Sequence, residues 1–158
     1  MKKYLLVLLF PIFCLAAHST AQAQYNNAIG LRLWYYPGIT FKHHFSDPAA
    51  LELILDTRWG GWIVTGLYEH HFPLGPENLN LYVGGGGHIG FLRKGVSNKH
   101  WGTYEGGGFV GLDGILGLEY TLESIPLNFS LDWKPAFNLA GYQGWWGDGG
   151  ALSVRYTF

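Results

Sequence analysis

The sequence predicts an all-β protein, an eight-stranded antiparallel up-and-down transmembrane β-barrel. Three observations lead to it. First, stretches of the chain alternate apolar and polar residues with a period of two, which is how side chains leave the two faces of a strand. The last nine residues show it most clearly: Leu152, Val154, Tyr156 and Phe158 share one face, and Ala151, Ser153, Arg155 and Thr157 the other. Second, beyond residue 23 no apolar run approaches the roughly 20 residues of a membrane helix. Aromatic residues nevertheless make up 17% of the chain, which also holds 24 glycines and little amphipathic helical period. Only helices and closed barrels satisfy every backbone polar group inside a bilayer, so this chain would cross one as a barrel. Third, the alternating stretches number eight, and an even count brings the chain back to the side it started from.

The elements follow in order. Lys2-Lys3, an apolar run from Tyr4 to Ala17 and the sequence Ala21-Gln22-Ala23 form the n-region, h-region and cleavage site of a secretory signal. Residues 1–23 are therefore expected to be removed, leaving residues 24–158 as one barrel domain. Pro11-Ile12-Phe13 precede Cys14 where a lipoprotein signal needs small residues, so lipidation is not expected. Cys14 is the only cysteine and departs with the signal, which leaves no disulfide.

Strand one is expected over about 26–36, with Ile29, Leu31, Leu33 and Tyr35 opposite Gly30, Arg32 and Trp34; Pro37-Gly38 then turns the chain. Strand two, about 39–45, sets Ile39, Phe41 and Phe45 against Thr40, Lys42 and His44, before the turn Ser46-Asp47-Pro48. Strand three, about 50–59, sets Leu51, Leu53, Leu55 and Trp59 against Glu52, Asp56 and Arg58, and Gly60-Gly61 reverses it. Strand four, about 62–72, has the weakest pattern; Val64, Tyr68 and Phe72 are placed outward, and Glu69 and His71 inward.

After the loop 73–78, strand five runs about 79–92, with Asn80, Tyr82 and His88 on its polar face. Its run Gly84–Gly87 implies a bend or close backbone packing. A polar segment, 93–105, reads as the longest loop. Strand six, about 108–122, sets Leu112, Leu116, Leu118, Tyr120 and Leu122 against Asp113, Glu119 and Thr121, and residues 123–126 turn it. Strand seven, about 127–138, sets Leu127, Phe129, Leu131, Trp133 and Phe137 against Asn128, Ser130, Asp132 and Lys134. Residues 139–149 read as an aromatic-rich loop before the terminal strand. About ten residues at 3.3 Å each, tilted near 40°, rise roughly 25 Å, the height of a membrane apolar band. With the N-terminus in the periplasm, both long loops fall outside the cell.

Alternation alone does not say which face points inward, because a secreted lipocalin-like carrier would put the leucines inside. Three features favour the membrane version. Aromatics gather near strand ends, as interfacial girdles do. The apolar faces are too bulky for the lumen of a small eight-stranded barrel. The polar faces hold charges of both signs: Arg32, Lys42, Arg58, Lys134 and Arg155 against Glu52, Asp56, Glu69, Asp113, Glu119 and Asp132. Buried charges need partners, so these eleven are expected to form a salt-bridged network that fills the lumen as a plug.

The alternation, the turns Gly60-Gly61 and Pro73-Leu74-Gly75, the stretch Leu127 to Phe137 and the ending Arg155-Tyr156-Thr157-Phe158 together resemble small outer-membrane β-barrel proteins of Bacteroidetes. A terminal strand ending on Phe158 also resembles the C-terminal signature of Gram-negative outer-membrane barrels. The resemblance covers the whole of 24–158. It implies an outer-membrane location, outer-membrane lipid and lipopolysaccharide as surroundings, and contact with the barrel-assembly machinery through the strand ending in Phe158. It carries over no reaction and no catalytic residue.

Other functions are weighed on the same residues. Ten Lys and Arg against eleven Asp and Glu, with no basic cluster of the needed size, exclude a nucleic-acid binder. His43-His44 and His70-His71 suggest a metal, but neighbours on a strand face opposite ways, so neither pair chelates through both members. His44 and His71 could meet in the lumen, with Glu52 or Glu69 as a carboxylate; the regular ligand set of a metal site is missing, and no metal or other cofactor is expected. His44-Phe45-Ser46 resembles the His-x-Ser of outer-membrane lipid A deacylases but falls at the periplasmic end, away from that lipid. Ser97, His100 and Asp148 have no spacing that demands an acyl-transfer site, and the chain is read as no enzyme. Gly84–Gly87 lacks the lysine and helix of a phosphate-binding loop. The outer loops offer Arg93, Lys94, Lys99 and His100 beside Trp101 and Tyr104, and Tyr142, Trp145 and Trp146, as surface-interaction residues for lipopolysaccharide phosphates, sugars or proteins. The expectation is a monomer with a structural or surface-interaction role. A narrow solute channel, a lipid A-modifying enzyme and the lipocalin-like carrier are the rivals.

Overall fold

The structure, a computed structural model, describes residues 25–158 except 59, 76–77, 96, 99–101, 104–105 and 142–143. The expected signal peptide, residues 1–23, lies outside them. Twelve strands are described: β1 Asn27–Trp34, β2 Gly38–Ser46, β3 Ala49–Arg58, β4 Gly61–Pro73, β5 Leu79–Leu92, β6 Ser97–Asn98, β7 Gly102–Thr103, β8 Gly107–Thr121, β9 Leu127–Trp133, β10 Ala136–Ala140, β11 Gly144–Trp146 and β12 Gly150–Thr157.

Ten of them form one closed antiparallel sheet. β1 to β5 pair in sequence order, β5 pairs with β8, and β8 pairs with β9 and then with β10. β9 pairs with β12, and β12 returns to β1 with Leu31 opposite Val154. β9 and β10 make one stave interrupted at Lys134-Pro135, where proline cannot donate to a ladder. The chain keeps its course there because Gly114 donates its backbone N–H to the Pro135 carbonyl and Lys134 donates to that of Gly149. β11 and β12 make the next stave, so the barrel has eight. One rim carries Tyr25, Phe158 and the turns at 47–48, 74–75 and 122–126, and is called the terminal rim here. The other, the loop rim, carries 35–37, 60, 93–95, 106 and 141.

The structure corrects the expected loops. Segment 93–105 contains a two-stranded hairpin, β6 with β7, rather than plain loop. Within 139–149, β11 folds back on β10 with Trp146 opposite Ala136. The glycine run does not interrupt β5, which is continuous over its 14 residues. It serves close backbone approach: a Cβ on Gly84 or Gly86 would collide with the carbonyl oxygens of Tyr68 and Gly66.

Facing follows the period of two nearly everywhere. Leu31, Leu53, Leu112 and Leu131 point out and are 56%, 56%, 57% and 58% exposed, while Lys42, Glu52 and Arg155 point in and are 0% exposed. Strand four faces as expected, with Val64, Tyr68 and Phe72 out and Glu69 and His71 in. Trp34 is the exception. The alternation sets it on the inner face with Arg32, but its φ of 119° breaks the period and turns the indole outward. Exposed aromatics form two bands, with Trp62, Phe91, Phe137 and Trp145 toward the loop rim, and Phe45, Tyr68, Phe72, Tyr120 and Phe158 toward the terminal rim.

The interior also holds apolar layers, which the charge reading did not anticipate. Ile54, Leu67, Tyr82 and Ile115 cluster on one wall, and Ile63, Leu92, Phe109, Ala136 and Trp146 cluster near the loop rim. They set apolar side chains among the buried charged groups, where each charge needs a partner.

Candidate functional site: the charged lumen

The network is built from inward positions of strands far apart in sequence. Arg155 on β12 reaches across to Glu52 on β3, Nη2 to Oε1, at 2.6 Å. Its Nη1 donates to Ser130 Oγ at 2.7 Å and Asn128 Oδ1 at 3.2 Å, both on β9. Thr40 on β2 donates its hydroxyl to the same Glu52 oxygen. A guanidinium has five N–H donors in a fixed fork, so one arginine ties several staves together.

Lys42 on β2 occupies the centre of a carboxylate triangle. Its Nζ lies 2.8 Å from Glu69, 2.9 Å from Glu119 and 3.6 Å from Glu52. It also sits 4.1 Å from the centre of the Tyr82 ring, a cation–π contact. Gly117 faces that ring and has no Cβ to obstruct it.

Farther toward the loop rim, Arg32 on β1 grips Asp132 on β9 through Nη1 and Nη2, and Tyr82 donates its hydroxyl to Asp132 Oδ2 at 3.1 Å. Lys134 pairs with Asp113 at 2.9 Å, and the other oxygen of Asp113 meets His88 Nδ1 at 2.6 Å. His88 continues to Asn138 at 2.7 Å and stacks on Trp146. At the rim itself, Arg58 pairs with Asp148 at 2.9 Å between the rings of Tyr36 and Trp146, each centred 4.1 Å from it. Tyr36 donates its hydroxyl to Asp148 Oδ2 at 2.5 Å; burial, followed by this bond, raises its phenol pKa far above the usual value.

All eleven charges proposed for the lumen point inward, and ten are buried; the Lys134 side chain is 10% exposed. Asp56 is buried without an ion pair among the described residues. The proposed surface residues divide. Arg93, Lys94 and Trp145 are exposed. Lys99, His100, Trp101, Tyr104 and Tyr142 lie outside the described residues. Trp146 is corrected: it is 7% exposed and packs inside against His88, Phe109 and Arg58, because β11 continues the alternation of the next stave. Asp148, weighed as part of an outer acyl-transfer site, is taken up by Arg58 and Tyr36.

Three participants were visible on the polar faces without a role: Tyr82, His88 and Asn128. Their facing is readable from the alternation, but apart from the bond of Asn128 to Thr121, seven residues away, their hydrogen-bond partners lie 25 to 103 residues away in sequence. Toward the terminal rim, His44 and His71 do come together, with ring centres 4.8 Å apart. The carboxylate that joins both is Glu119, rather than Glu52 or Glu69, and the three offer ligand atoms within 4.8 Å of one another.

No family model matches the chain, and no curated protein matches its sequence. Among solved structures, the crystal structure of the N-terminal β-barrel domain of Pseudomonas aeruginosa OprF is similar, with a TM-score of 0.64 at 14% sequence identity. The similarity covers 85% of this chain and 98% of that one. At that identity it shows the fold, a closed eight-stranded antiparallel barrel.

Proposed function

We propose that the chain is an outer-membrane β-barrel protein with a structural or surface-interaction role, its lumen closed by the charged network. The observation that carries this reading is the inverted polarity. Large apolar side chains on every long stave are exposed, among them Leu31, Ile39, Leu53, Val64, Ile89 and Leu131, while Lys42, Glu52, Glu69 and Arg155 are sealed inside. In water such a surface would aggregate, since soluble monomers rarely expose apolar patches beyond a few hundred Å². In lipid it is the favourable arrangement, and the two aromatic bands suit the two interfaces. The likeness to the OprF barrel domain supports the architecture on which the reading rests. The finer expectation of a small Bacteroidetes-type barrel rests on the residues that carry that resemblance. Exposed Arg93 and Lys94 support lipopolysaccharide phosphates as neighbours. No reaction is assigned to the chain.

The test is fractionation of expressing cells, followed by gels of heated and unheated samples. The expected result is recovery with the outer membrane and a faster-migrating unheated form, because a closed barrel resists detergent until boiled. Recovery in the soluble periplasmic fraction would favour the lipocalin-like rival.

A further inference from the structure

We infer that the terminal-rim end of the lumen is a binding site for a divalent transition-metal ion of the zinc class, with His44, His71 and Glu119 as ligands. The site stands on three independent observations. The first is geometry: the three residues, from β2, β4 and β8, present ligand atoms within 4.8 Å of one another. A tetrahedral ion with bonds of about 2.1 Å sets its ligand atoms about 3.4 Å apart, so a closure of roughly 1.4 Å suffices. The half-buried His44 borders open space and can turn to supply it.

The second is polar satisfaction. His71 is 5% exposed, yet neither of its ring nitrogens has a hydrogen-bond partner, and Nε2 of His44 has none either. The carboxylate oxygens nearest to His71 lie at 3.3 Å in Glu69 and 3.7 Å in Glu119. A buried imidazole without a partner is costly, and a metal ion uses the lone pairs that are idle here. The His71 ring is held for the purpose, stacked on Tyr82 at 5.3 Å on one side and against His44 on the other.

The third is the carboxylate itself, which is buried and held from both sides. Glu119 is also oriented as metal-binding carboxylates are, with Oε1 accepting from the Tyr25 hydroxyl at 2.8 Å and Oε2 from Lys42 at 2.9 Å. Two histidines and one glutamate leave a fourth position open. It faces a cavity of about 330 Å³ at this rim, lined also by Asn78, Asn80 and Thr121, which gives the ion a path in and room for water.

The test uses the untagged, folded protein in detergent, with zinc titrated calorimetrically and cobalt as a spectroscopic stand-in. One zinc per chain is expected, with cobalt giving the visible bands of a four-coordinate site. His44→Gln and His71→Gln should each weaken binding on the order of a hundredfold, and Tyr25→Phe, which removes the hydroxyl that donates to Glu119 and accepts from Asn128, about tenfold. His70→Gln, on the opposite face of β4, should bind as the wild type does. Heat-modifiable gel mobility verifies that each variant is folded, and His44→Gln at the rim is the variant least able to disturb folding. Absence of stoichiometric zinc binding to the folded wild type, or binding that survives both His44→Gln and His71→Gln, overturns the site.

Discussion

Arg155 shows how one residue governs the lumen. It is 0% exposed and spends its donors on Glu52, Ser130, Asn128 and Thr40. Replacing it by methionine keeps much of the bulk but leaves Glu52 facing an apolar side chain. Breaking a buried pair on one side costs about 3–5 kcal/mol, because the remaining charge stays desolvated. Arg155→Met should therefore lower stability by about that much, read as the urea midpoint of folding into phospholipid vesicles. Combined with Glu52→Gln it should recover much of the loss. A single variant within about 1 kcal/mol of wild type, the scale of an exposed pair, would mean that water reaches the pair. The direction in which Arg155 points was legible in the sequence, because alternation over Gly150–Phe158 allows only two choices. Its partner was not. Glu52 is 103 residues away and Asp132 is 100 residues from Arg32, and such pairs depend on how staves are staggered around the barrel.

At the scale of the strand, what matters is which solvent the outer face meets. Leu53 lies midway along β3, points outward and is 56% exposed, beside Phe41 and Gly66 on the neighbouring strands. Against lipid, Leu53→Arg should cost about 2–4 kcal/mol, and the same change near a rim should cost far less. Against water it would be neutral or helpful, so vesicle folding with unaltered stability would refute the lipid-facing assignment. Strands of this length were legible because seven or more alternating residues outvote any local irregularity. Short or interrupted ones were not. Gly144-Trp145-Trp146 offers three residues to a period of two, so it read as loop and Trp146 read as surface. Trp34 shows the same limit at a strand end, where a single positive φ reverses the face. Inward Ile54, Leu67 and Ile115 escaped notice for a different reason: the polar face was identified by its charges, and apolar residues among them carry no signal of their own.

For the whole molecule the question is whether the barrel conducts. An eight-stranded barrel has an interior that side chains can just fill. Here they fill it in tiers. A cavity of about 330 Å³ at the terminal rim ends at Glu119 and His71, and beyond it stand the Lys42 triangle and the Arg155–Glu52 pair. The Arg32–Asp132 fork and the wall of Ile54, Leu67 and Ile115 come next. A second cavity, of about 20 Å³ and enough for about one water, lies toward the loop rim and is lined by Arg58, which sits between Tyr36 and Trp146. A hydrated ion would have to separate several buried ion pairs at once, and each separation costs several kcal/mol in this medium. The wild-type protein inserted in planar bilayers is therefore expected to show no steady single-channel current. Brief flickers would be compatible with thermal breathing of one tier. Long-lived openings of uniform size would require a continuous water path through the Lys42 and Arg32 tiers together, and so would refute the closed lumen while leaving the barrel itself intact.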